Sequence, residues 1–287
     1  MRLFILCIVF LLLSAQECLA QLERQRVADN EPVELTFMAP RNINLFTVEP
    51  LSRGELHYSI MHTFGEVDSG VRNLWGIDQG ANVRFSFEYG FTEGLSLGFG
   101  RSSMDKIYDI HARWSVIRQK DSSIPVSITF APSVGLTTGS FGFLEEDYTF
   151  SDRMSYSAAL PVARKFSSDL SMQIVPMLTY FSRTGPELNI SDPEVNTYFS
   201  VGLSGRYKFS PRSAFTFQFI PPITNAENLG WNIGTGIDIE TGGHVFQMFF
   251  TTSRALNEAY LVSAENGSFF DGEFRFGFNV NRLFRVR

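Results

Sequence analysis

Apolar and polar residues alternate along most of the chain with a period of two. Val83, Phe85, Phe87, Tyr89 and Phe91 alternate with Asn82, Arg84, Ser86, Glu88 and Gly90. The same pattern runs from Val195 to Phe209 and from Leu229 to Glu240. Successive side chains of a strand point to opposite faces, so each run sets an apolar face against a polar one. Strands of soluble domains usually have about 5–6 residues, shorter than these runs. About ten residues tilted by about 40° reach about 25 Å, the height of the apolar band of an outer-membrane barrel. A soluble β-sandwich would account for the aromatic residues as core, but not for inward-turned arginines in mid-strand.

The pattern predicts twelve strands, over 54–64, 80–91, 94–102, 105–118, 125–138, 153–164, 169–182, 195–209, 213–221, 229–240, 244–253 and 272–284. Connections after the even-numbered strands are short, as in Phe91-Thr92-Glu93-Gly94, Phe209-Ser210-Pro211-Arg212 and Glu240-Thr241-Gly242-Gly243. Those after strands one, five, seven and eleven are long. Short periplasmic turns alternating with longer external loops are the barrel pattern, and an even strand number returns both ends to the periplasm. The predicted fold is all-β: a single antiparallel up-and-down transmembrane β-barrel of about twelve strands, occupying residues 54–287. In that topology Tyr108, Tyr156, Tyr180 and Trp231 fall near the external rim, and Tyr58, Tyr89, Tyr207 and Phe284 near the periplasmic one. Amphipathic rings at both interfaces suit a spanning barrel.

The first twenty residues carry a different signal. Arg2 is a basic start, Leu3 to Leu13 form an apolar stretch, and Cys18-Leu19-Ala20 precede Gln21. Eleven apolar residues are too few to span a bilayer as a helix, so 1–20 read as a signal peptide cleaved after Ala20, with the bacterial outer membrane as destination. A lipoprotein reading through Cys18 is weakened by Glu17 directly before it. Residues 21–53, with VELTF at 33–37 followed by Pro40 and Pro50, predict an extended segment that serves as a periplasmic strap or folds into the lumen as a plug.

Composition narrows the function. Of 287 residues, 29 are Phe, 14% are aromatic and only 19% charged, too apolar for a disordered chain. The net charge of −6 and a pI near 5.3 argue against nucleic acid as a partner. Both cysteines, Cys7 and Cys18, lie in the leader, which excludes disulfides and thiol chemistry from the mature chain.

The ionisable residues on the polar faces are the candidate channel wall: Arg84, Glu88, Asp109, His111, Arg113, Arg206, Lys208, Asp238, Glu240, Glu273 and Arg275, with Arg153 beside them. They sit on even-numbered strands, whereas odd strands turn small groups inward, such as Ser96, Gly98, Gly100 and Ser102. Long charged arms can then spread over small neighbours. Six bases face five acids on these strands, so the wall is close to neutral. Either a narrow polar channel or a set of ion pairs stiffening a filled lumen satisfies this pattern.

Other motifs weigh less. His57 and Ser59 resemble the histidine–serine pair of twelve-stranded outer-membrane phospholipases, but the alternation turns both inward and no glycine-rich oxyanion segment adjoins them. His62, His111 and His244 lack metal-ligand spacing. Glu145-Glu146-Asp147 offers oxygen ligands for a divalent cation, or simply a solvated acidic loop. Gly98/Gly100 and Gly234/Gly236 have no following helix or phosphate-loop lysine and read as small lumen-facing residues. Ala255 to Val262 predict a short helix over the external mouth.

Several stretches resemble the Bacteroidota β-barrel family catalogued as domain of unknown function 5777. They are GELHYSIMHTFG (54–65), GIDQGANVRFSFEYGF (76–91), GLSLGFGRSS (94–103), GRYKFSPRSAF (205–215) and TGGHVFQMFFTTSRALNEAY (241–260). The resemblance implies an outer-membrane-type barrel and transfers no substrate, cofactor or catalytic residue. The leading expectation is therefore a passive or gated conduit for small solutes, in contact with outer-membrane lipid and lipopolysaccharide. A non-conducting structural or binding barrel is the alternative, a lipid hydrolase the third reading. No enzyme activity, cofactor or metal is expected.

Overall fold

The computed structural model describes residues 31–140, 142, 149–224 and 228–286. A two-residue hairpin, β1 (Arg41–Asn42) and β2 (Leu45–Phe46), precedes the wall. The wall consists of β3 (Glu55–Glu66), β4 (Asn82–Gly90), β5 (Leu95–Ser102), β6 (Ile107–Ile117), β7 (Ser127–Thr137), β8 (Met154–Ala159), β9 (Val162–Lys165), β10 (Leu170–Phe181), β11 (Thr197–Ser210), β12 (Ser213–Ile220), β13 (Asn232–Thr241), β14 (His244–Thr251) and β15 (Arg275–Arg285). Neighbouring strands pair antiparallel in chain order, except that β8 and β9 both lie between β7 and β10, and β15 returns to β3, which closes the cylinder. A closed sheet leaves no free edge, so every backbone group finds its partner without water.

β8 and β9 fill one position between β7 and β10, giving twelve positions in all. The interruption falls at Leu160-Pro161, because proline has no N–H for the ladder. Pro132 on β7 and Pro176 on β10 lie in the flanking strands. The remaining links here include Leu160 N–H to the Pro176 carbonyl at 2.9 Å and Thr129 N–H to the Pro161 carbonyl at 3.0 Å.

The register fixes the two faces. Phe85 and Phe87 are 42% and 47% exposed, whereas Arg84 between two outward neighbours is wholly buried. Aromatic side chains pair across the outer face, Tyr58 with Phe87 at 4.7 Å and Tyr156 with Tyr180 at 6.3 Å between ring centres. Strand limits agree with the alternation to within three residues. By the short-turn rule, the end carrying the tight turns is periplasmic and the end carrying long loops external; below they are the turn end and the loop end.

The inside is packed. Residues 37–51 enter from the turn end, and nearly all of them, from Phe37 through Arg41, Ile43, Leu45 and Phe46 to Leu51, are buried. From the loop end, the segment between β14 and β15 folds down into the cylinder. Its helix α1 (Glu258–Leu261), capped by the Asn257 side chain accepting the Ala259 N–H, is buried on every residue. The sequence places this helix as a cover over the mouth; in the structure it is a core element. Leu45 and Phe46 join Val175, Met177, Tyr198 and Ile220 of the wall and Ala259, Tyr260 and Leu261 of the loop in one hydrophobic cluster.

Candidate functional site: a stoppered lumen

The interior has an apolar sector, where Val175, Met177, Tyr198 and Ile220 of β10 to β12 meet the filling, and a charged one on β4 to β6. The charged sector is built on the small residues of β5. A side chain at Gly98 would overlap the His111 ring, and one at Gly100 would overlap the Arg84 guanidinium. Glycine at both positions lets residues of β4 and β6 meet across the strand between them. Arg84 forms a two-toothed ion pair with Asp109, its Nη2 lying 2.8 Å from Oδ1. Arg113 Nε donates to Glu88 Oε1 at 2.7 Å, and Ser96 donates to the same carboxylate. His111 stands between the pairs, 3.3 Å from Asp109 Oδ1 and 3.8 Å from Glu88 Oε2.

Two residues from outside the wall complete this cluster. Arg41, on β1, pairs with Glu258 of α1, stacks over Phe46 at 4.0 Å and donates to the Asn44 carbonyl at 2.8 Å. Arg84 reaches Glu258 Oε2 at 3.7 Å, and Asn257 Nδ2 donates to Asp109 Oδ2 at 2.9 Å. The cluster thus holds three arginines (Arg41, Arg84, Arg113) against three carboxylates (Glu88, Asp109, Glu258). Burial of charge is tolerated only where each charge is paired, as these are, although Arg84 Nε, Arg113 Nη2 and Glu258 Oε2 have no hydrogen-bond partner among the described residues. Tyr260 donates to Asp105 Oδ2 at 2.6 Å; burial, then the neighbouring carboxylate, push its phenol well above the ordinary range.

The other wall residues hold the segment itself. Asn42 Nδ2 donates to the Gly205 and Phe217 carbonyls, Gln173 to the Phe46 carbonyl at 2.9 Å, and Asn279 to the Ile43 carbonyl at 2.7 Å. Arg113 reaches the Glu49 carbonyl at 2.7 Å, and Gln247 the Arg41 carbonyl at 3.1 Å. Arg206 donates to the Leu35 carbonyl. Asp238 is buried and accepts from Gln247 at 3.0 Å and Thr216 at 3.5 Å.

Arg84, Glu88, Asp109, His111 and Arg113 therefore come together, while Arg206 and Asp238 lie apart from them. Lys208 is half-buried towards the turn end, and Glu240 is exposed at the close of β13. Arg275 pairs with Glu66 at the loop end. Glu273 precedes β15, in a loop, where it accepts the Ser268 N–H at 2.7 Å. Arg153 caps Thr137 and Gly139 carbonyls. His57 bonds Asn281 at 3.2 Å, and the buried Ser59 hydroxyl has no hydrogen-bond partner among the described residues. Glu145-Glu146-Asp147 lies outside the described residues, as does the leader 1–20.

Arg41 and Glu258 escape a search by strand alternation, since neither is on a wall strand. Asn257 ahead of Glu258 is the one local sign, a helix-capping residue. Gln173, Gln218, Gln247 and Asn279 alternate with apolar residues and were findable, but carry no charge to draw notice.

Such a cylinder, apolar outside and filled by its own chain inside, defines a plugged membrane β-barrel of the outer-membrane type. The chain belongs to the membrane bound beta barrel domain family (DUF5777), which it matches over residues 37–284. The match begins at Phe37, so the lumen segment is part of the family's domain. Among solved structures the fold is similar to the KdgM porin (TM-score 0.49, 10% identity, covering 80% of this chain and 99% of that one). It is also similar to the NanC porin (TM-score 0.48, 7% identity, 81% and 100%) and to an outer membrane channel from Pseudomonas putida F1 (TM-score 0.49, 14% identity, 83% and 98%). No curated protein matches the sequence.

Proposed function

We propose that the protein is a gated conduit for small polar solutes, held closed by residues 37–51 and the α1 loop. The observation that carries this reading is how the wall holds the segment. Gln173, Gln247, Asn279 and Arg113 all donate to its main-chain carbonyls, and Arg206 donates to that of Leu35 just before it. Water or a polar solute can offer the same acceptors, so the wall keeps its hydrogen bonds when the segment leaves. A wall meant only to be filled would gain more from apolar packing.

The apolar sector favours a second reading, a permanently closed scaffold. Leu45 and Phe46 are buried against Val175 and Met177, and lose that burial on release. Single-channel recording separates the two. The gated conduit requires rare openings from the whole protein and steady openings from a variant lacking residues 37–51. A correctly inserted deletion variant that stays electrically silent would leave only the scaffold.

A further inference from the structure

A concave place on the outer face differs from the ridged aromatic belt around it. Between β13, β14 and β15, Ile239, Phe246, Met248, Phe276, Phe278 and Val280 line an apolar groove of about 430 Å³. Along β15 the lining runs from Phe276 to Val280, four steps of about 3.3 Å, or about 13 Å. That is close to half of a hydrocarbon core about 30 Å thick, the depth of one leaflet.

The groove ends on a cation. Arg282 and His244 form the next outward pair beyond Val280 and Phe246 towards the turn end, facing each other across β14 and β15. Arg282 Nη1 donates to His244 Nε2 at 2.6 Å, and its guanidinium lies 4.8 Å from the Phe284 ring centre. Among the described residues no carboxylate lies within ion-pair distance of Arg282. Tyr58, its opposite number on β3, stands on the same face. A planar guanidinium with free N–H groups at interface height, backed by aromatic rings, suits a phosphate.

We propose that this is a phospholipid site: one acyl chain lies in the groove, and the phosphodiester of the turn-end leaflet sits on Arg282 beside His244. The groove gives the chain its place, and the cation gives the headgroup preference. A second copy of the protein could also fill an apolar groove, but would leave Arg282 without an anion.

Native mass spectrometry of the whole protein, released from micelles carrying either palmitoyl-oleoyl phosphatidylglycerol or the diacylglycerol with the same chains, tests this. The wild type is expected to retain phosphatidylglycerol well above diacylglycerol. Arg282→Gln is expected to weaken phosphatidylglycerol about fivefold, as for one basic residue at a lipid surface, and leave diacylglycerol unchanged. Met248→Trp, which fills the groove, is expected to weaken both, while Leu178→Trp on another outward face alters neither. Only variants that migrate faster unheated than boiled are scored, and Arg282→Met replaces Arg282→Gln if it fails that check. Equal retention of the two lipids, or no loss in the charge variant, overturns the site. A dimer that Met248→Trp abolishes would assign the groove to a second copy instead.

Discussion

Arg41 and Glu258, 217 positions apart in sequence, form a buried ion pair in the middle of the barrel. One enters with the N-terminal segment from the turn end, the other descends with α1 from the loop end. The pair joins the two halves of the plug, and Arg84 ties Glu258 to the wall.

Breaking this pair should be costly. Arg41→Met leaves Glu258 buried without its main partner, which typically costs about 3–5 kcal/mol. The double variant Arg41→Met/Glu258→Met should recover most of that loss, since no isolated charge remains. Urea unfolding in micelles, read by tryptophan fluorescence, measures the cycle; equal losses in single and double variants would contradict it.

The two faces of β4 should respond differently to charge. Phe87→Arg puts a cation on the lipid face and should cost about 2–4 kcal/mol near the midplane. A wet lumen, as alternation alone allows, would make Arg84→Ala mild, about 0–1 kcal/mol. In the packed lumen it strands Asp109 and should cost about 3–5 kcal/mol instead. Unfolding midpoints of the two variants decide between these pictures.

Gly98→Val tests how tightly the charged sector is built. Its side chain would drive into the His111 ring, which has Asp109 and Glu88 on either side and little room to move. Overpacking of this kind usually costs about 1–3 kcal/mol. Ser102→Gly, on the same inward face but nearer the loop end, removes atoms and should leave Arg84 and His111 in place. Unfolding curves compared side by side give the result.

Orientation is open to a labelling test. Cysteines at the exposed Ser140 and Glu194 should react with an impermeant thiol reagent on intact cells, and one at the exposed Arg212 only after the outer membrane is permeabilised. Labelling confined to Arg212→Cys would invert the assignment of the two ends.

The wall was legible because alternation over nine to fifteen residues can be satisfied only one way when one face meets lipid. A slip by one residue at Phe85 or Phe199 would turn a whole row of rings inward. The filling was not legible in the same way. Residues 37–51 form just two bridges of regular structure, and their partners, from Arg113 to Asn279, come from all round the cylinder. Glu258 looks like any surface helix residue until Arg41 is placed beside it. Glu273 keeps the inward parity of β15, yet the strand starts two residues later, so parity alone misjudges its place. Arg84, Asp109 and His111 show the middle case: alternation gives their direction, and only the glycines of β5 give their company.

The prolines at 132, 161 and 176 give the cylinder one poor joint. It sits at the sixth strand position, half a circumference from the twelfth, where β15 seals against β3. Directly behind it, Ala163 rests on Phe37 and Val48, and Val175 and Met177 share the cluster of Leu45 and Phe46. The stopper is therefore also an inner brace, pressed against the one stave that is broken in two. Lifting it out would open the bore and loosen the cask at once, so the hoop's rigidity becomes part of whatever holds the passage shut.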